Sequence, residues 1–83
     1  MSDDAVRETV FKTLELVLQR PVGREGNPSR LSEEGWDSLK QVELLFAIED
    51  AFGIQFDEAE MDELRSVDEI VASLEKHGAA PRR

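Results

Sequence analysis

The chain has 83 residues, room for one small domain, with no cysteine and a single histidine, His77. That composition excludes a disulfide framework, a thiolate metal site and a separate cofactor-binding domain. Nineteen acidic side chains against ten basic ones give a formal charge of −9, which repels phosphate backbones and argues against nucleic-acid binding.

The same charge favours partners with basic patches, through faster encounter and better selection. No apolar run approaches the roughly 20 residues that span a bilayer. The acidic start Met1-Ser2-Asp3-Asp4 is not followed by the apolar block of a secretory signal. The expectation is a soluble, monomeric protein of the cytoplasm.

Residues 3–18 predict a first helix. Val6, Val10, Leu14, Val17 and Leu18 recur on one face, with Phe11 at its border. Ser2 or Asp3 can cap its start, and Pro21 and Gly23 mark its end. Residues 19–36 form a long connection rich in breakers, with Pro21, Gly26, Asn27, Pro28 and Gly35 among them. A connection of that length in a small domain is often functional. Val22, Leu31 and Trp36 are expected to pin it to the core. Trp36 is read first as packing, although two residues before Ser38 it can also border a site.

Residues 38–52 predict the second helix, with Asp37 as N-cap and Gly53 just past its end. Ile54 and Phe56 suggest a short extended piece. Asp57 to Leu64 predicts a short third helix with Met61 and Leu64 turned inward. Ser66 caps a fourth helix over 67–76, and Glu69 completes a capping-box pattern. Gly78 ends that helix, and residues 79–83 are expected to be a disordered tail after a domain spanning 1–78. The fold class is all-α: a small antiparallel bundle of three long helices and one short one.

The second helix carries two apolar stripes. At about 100° per residue, Leu44, Leu45, Ile48, Ala51 and Phe52 gather on one side as a core face. Leu39, Val42 and Phe46 gather on another, edged by Glu43, Glu49 and Asp50. An apolar strip ringed with like charge has the composition of a docking surface: the apolar groups supply burial, roughly 1.5–3 kcal/mol for each one fully buried, and the acids select a basic partner. The alternative is that the first helix or the long connection covers it.

Ser38 opens this stripe. Asp37 can serve as cap, which leaves the Ser38 hydroxyl free in the first turn. A phosphate there would meet the positive end of the helix dipole and unpaired backbone N–H groups. From the residues alone, capping and modification stand level for Ser38. A catalytic role lacks a neighbouring base or metal cluster. Calcium binding fails because Asp57–Asp62 lacks the alternating ligands and central glycine of an EF-hand loop.

The run Gly35-Trp36-Asp37-Ser38-Leu39, followed by Val42-Glu43, Glu49-Asp50 and Phe52 and later by Ser66-Val67, resembles the acyl and peptidyl carrier proteins. The likeness covers about residues 30–76 and, more loosely, the first helix. It implies an acyl-carrier-like helical bundle with no catalytic residue. It implies that Ser38 is the attachment point of 4′-phosphopantetheine, placed there from coenzyme A by a phosphopantetheinyl transferase. It implies that Asp37, Leu39, Val42, Glu43, Phe46, Glu49 and Asp50, with Asp62 on the short third helix, are partner-binding positions. The partners implied are that transferase, a loading ligase and downstream biosynthetic enzymes with basic docking patches.

Fatty-acid carriers usually show an Asp-Leu-Gly run before the motif, where this chain has Glu33-Glu34-Gly35-Trp36, and an acid where it has Lys40. That departure resembles discrete carriers of polyketide, nonribosomal-peptide or other specialised pathways. The leading expectation is a discrete acyl carrier protein. The alternatives are a peptidyl or aminoacyl carrier using the same arm, and an unmodified helical adaptor that binds partner helices through Leu39, Val42 and Phe46.

Overall fold

Helices α1 (Asp3–Leu18), α2 (Ser38–Phe52), α3 (Glu58–Glu63) and α4 (Val67–Lys76) make up the computed structural model, which describes residues 3–80. The helix α1 packs against α2 and α4, and α3 sits against α2. No strand is present among the described residues, only one isolated antiparallel bridge between Ser29 and Ser66. The result is the small all-helical bundle that the apolar spacing predicts.

The helix starts follow capping chemistry. Asp37 takes an extended conformation and its carboxylate accepts the Lys40 N–H at 2.9 Å, which opens α2. Gly53 closes α2 in the left-handed region (φ 69°), a conformation that favours glycine. A full capping box forms at α3, where Asp57 and Glu60 exchange side-chain and backbone bonds. At α4 the box expected of Ser66 and Glu69 is only half formed. Ser66 Oγ accepts the Glu69 N–H at 3.2 Å, but the Glu69 carboxylate takes the Arg65 N–H, one residue upstream. The cap expected at α1 from Ser2 or Asp3 falls on side chains outside the described ones.

The core joins Val6, Val10, Phe11 and Leu14 of α1 to Leu44, Leu45, Ile48 and Phe52 of α2 and to Val67, Ile70, Val71 and Leu74 of α4. Phe11 is a correction. It does not border the stripe but lies wholly inside, because Arg7 and Arg24 stack their guanidinium groups 5.4 and 5.1 Å from its ring and cover it from the loop side. Arg24 also bonds Glu8 and Glu15, and holds both carboxyls below their ordinary range. Arg7 ties Asp68 and the Gly26 carbonyl, while Arg20 ties Glu33 and the Glu34 carbonyl. The long connection is thus fastened by arginines more than by apolar side chains.

Val22 and Trp36 do bury as expected, but Leu31 is fully exposed. The turn Ser29–Ser32, closed by the Ser32 and Glu33 N–H groups on the Ser29 carbonyl, leaves it outside. Pro28 is the buried residue of that stretch, and its carbonyl accepts the Val67 N–H at 2.9 Å. Ala79, placed by the sequence in the tail, donates its N–H to the Leu74 carbonyl and packs on the core. Ala80 is exposed, and residues 81–83 of the expected tail lie outside the described residues.

Candidate functional site

The start of α2 is held from below by a buried polar chain. Trp36 Nε1 donates to Gln41 Oε1 at 2.7 Å, and Gln41 Nε2 donates to the carbonyls of Met61 and Leu64. Gln41 occupies the core stripe with Leu44, Leu45 and Ile48 and is buried. Its amide uses both ends to fix the residue before the cap and the last turn of α3. Burial of these groups is tolerable only because each has a partner.

Above that base Ser38 is exposed. Its hydroxyl is not used as a cap, since Asp37 does that work, and it accepts one bond, from Arg30 Nη2 at 3.1 Å. The Ser38 and Leu39 N–H groups have no partner among the described residues. Charge separates this helix start from the others. The first turns of α3 and α4 carry Glu58 and Glu60, and Asp68 and Glu69, whereas the first turn of α2 carries no acid. Acids at a helix start satisfy the positive end of its dipole. In a chain of charge −9 this turn, unlike those of α3 and α4, is left open to an external anion.

Arg30 adds to that field. Arg7, Arg20, Arg24 and Arg65 each pair with a carboxylate, while Arg30 has none among the described residues. Ser38, Arg30, Leu31 and Trp36 line an open groove of about 760 Å³ together with Asp62, Arg65 and Ser66. Arg30 and Gln41 touch this candidate site, and the sequence alone does not single them out. Gln41 carries a signal, a polar residue on an otherwise apolar stripe. Arg30 carries none, because its contact spans a loop whose path the sequence does not define.

The outer face of α2 is uncovered. Leu39, Val42 and Phe46 are 66%, 44% and 56% exposed. Glu43 and Asp50 stand exposed at its edge, with Lys40 bridging Glu43 at 3.4 Å. Glu49 is partly engaged: its carboxylate accepts the Phe56 N–H at 2.7 Å and so fastens the turn after α2. Asp62 is exposed on α3, 3.7 Å from Arg65. The structure therefore brings Asp37, Ser38, Leu39, Val42, Glu43, Phe46 and Asp50 onto one accessible helix, with Asp62 beside the groove rather than on that helix.

Comparison with known proteins decides the family. A model described as "Phosphopantetheine attachment site" matches residues 8–74. The acyl carrier protein of Thermotoga maritima is 30% identical over 87% of this chain and 95% of its own. Those of Akkermansia muciniphila and Streptomyces coelicolor are 34% and 33% identical, over 92% and 94% of this chain and 96% and 83% of theirs. The chain belongs to the acyl carrier protein family. No solved structure gives a significant match.

This is a carrier and not a catalyst, and its cofactor is covalently attached 4′-phosphopantetheine. The family implies a phosphopantetheinyl transferase and biosynthetic enzymes as interaction partners. The start of α2 fits such a group on its own chemistry: an exposed hydroxyl, unpaired N–H donors, no acid in the first turn and an unpaired guanidinium. No described helix is long and apolar enough to cross a membrane.

Proposed function

We propose that Ser38 is the attachment point and that the chain serves as a discrete acyl carrier of a specialised pathway, polyketide-like or fatty-acid-like, in the cytoplasm. The observation that carries this reading is the exposed Ser38 hydroxyl at a helix start already capped by Asp37. In the attachment the Ser38 oxygen forms a bond to the pantetheine-bearing phosphorus of coenzyme A. The pyrophosphate bond breaks, adenosine bisphosphate leaves, and the hydroxyl proton passes to the transferase or to solvent. The bound group supplies a thiol that holds acyl cargo as a thioester.

Leu39, Val42, Glu43, Phe46 and Asp50 form the surface read by the transferase, a loading ligase and downstream enzymes. Asp37, Glu49 and Asp62 contribute acids at its margins. Apolar burial gives the hold and the acids select basic patches. A peptidyl carrier would use the same hydroxyl. The names of the three relatives compared and the acidic margin of α2 support acyl cargo.

The test is incubation with a phosphopantetheinyl transferase, coenzyme A and magnesium. The reading expects a gain of about 340 Da, a covalent charged addition, confined to the peptide holding Ser38. A gain on another residue, or none, removes it. Loading of the holo form by acyl ligases but not by amino-acid-activating enzymes separates acyl from peptidyl carriage.

A further inference from the structure

We infer that Arg30 grips the phosphodiester at the root of the arm and turns the arm into the groove between the long connection and the start of α4, away from the outer face of α2. This rests on Ser38 as attachment point. The guanidinium already lies 3.1 Å from the oxygen that would become the ester oxygen. The anionic oxygens of a phosphate on Ser38 sit two bonds further out, on the phosphorus next to that oxygen, within reach of the same fork. Arginine presents five donors in a plane suited to phosphate, and such bonds are charge-assisted.

Arg30 is also free for the task. The acids along the groove are engaged elsewhere: Asp68 with Arg7, Asp62 with Arg65, and Glu69 with the Arg65 N–H and Ser66. Arg30 itself is positioned by backbone. Its N–H donates to the Arg65 carbonyl at 2.9 Å, beside the Ser29–Ser66 bridge. With its backbone fixed and its residue half-buried, Arg30 loses less freedom on gripping an anion than a fully exposed side chain on a free loop. The groove is lined by apolar Leu31 and Trp36 together with polar Ser29 and Arg65, which suits a chain of amides and methyl groups.

The consequence is a division of labour on the two sides of Ser38. The arm rests on the Arg30 side, and Leu39, Val42 and Phe46 stay clear for partners.

The experiment compares apo and holo forms of the native chain, Arg30→Gln and Arg30→Lys, each checked by intact mass. Native holo protein is expected to show a phosphorus-31 shift displaced from that of the same holo protein unfolded in urea, and amide shifts concentrated on Arg30, Leu31 and Ser66. Arg30→Gln holo protein is expected to return the phosphorus signal towards that of the unfolded diester. If Arg30 holds the phosphate, attachment should raise the folding equilibrium constant up to about fivefold more in the native chain than in Arg30→Gln, the upper scale of an exposed ion contact. Arg30→Lys should retain part of both effects. Comparing apo with holo inside each variant cancels any loss of fold stability from the substitution itself.

A full mass gain on Ser38 with identical apo-to-holo changes in native and Arg30→Gln proteins overturns the inference and leaves the attachment standing. Amide shifts confined to Leu39, Val42 and Phe46 overturn it too. No mass gain on Ser38 overturns the attachment and the inference together.

Discussion

Ser66 and Ser38 each stand at a helix start, before α4 and in α2, yet only one is used by the backbone. Ser66 is buried, accepts the Glu69 N–H and sits before the acids Asp68 and Glu69. Ser38 is exposed, one position inside a helix capped by Asp37, with no acid in the first turn and an unpaired arginine on its hydroxyl. The lesson is positional. Moving the capping duty one residue upstream keeps the helix start satisfied and leaves a hydroxyl at the positive end of the dipole.

The comparison breaks most sharply if the two serines are exchanged for alanine. Ser38→Ala is expected to abolish the mass gain and all carriage, while unfolding curves stay within about 0.5 kcal/mol of the native protein, as for an exposed site outside the packing. Ser66→Ala should accept the arm normally and lose about 1 kcal/mol of stability, the usual worth of a cap. Larger than either in stability terms is Gln41→Leu. It strips partners from Trp36 Nε1 and from the Met61 and Leu64 carbonyls, and each buried group left unpaired costs roughly 1–3 kcal/mol. Urea titration should show the largest loss of these three, and hydrogen exchange should show α3 loosening first.

A smaller effect is expected on the outer face. Phe46→Ala should leave stability nearly unchanged and weaken transferase binding by about 1–2 kcal/mol, the loss of one partly buried aromatic. The smallest is acid dependence at α3. The Glu60 carboxyl is held below its ordinary 4.5, first by the Asp57 N–H, against an opposing effect of burial, and then by His77 and Ser73. A depressed folded-state value gives stability that is present above the ordinary value and lost as pH falls through the folded one. Thermal melting from neutral to acid pH should therefore decline less steeply in Glu60→Gln than in the native chain.

Much of this is legible in the residues. The bounds of α2 and α4 follow from Asp37, Gly53 and Ser66, whose chemistry is local. The exposed stripe of Leu39, Val42 and Phe46 follows from spacing, because the helices packed on α2, α1 and α3, leave that side uncovered. The failures are non-local. Leu31 looks like an anchor by composition, but the Ser29–Ser32 turn directs burial to Pro28 instead. Glu49 reads as a rim acid, but the path of the chain after Gly53 brings the Phe56 N–H to its carboxylate. Arg30 meets Ser38 only through the bridge between Ser29 and Ser66, which no periodicity records.

Intact-mass analysis of the chain isolated from its native cells, with peptide mapping, tests the central claim most directly. The account predicts a pantetheine-bearing mass located on Ser38, alone or extended by an acyl load. A population in which Ser38 stays unmodified, with cargo absent or fixed to another residue, would contradict it.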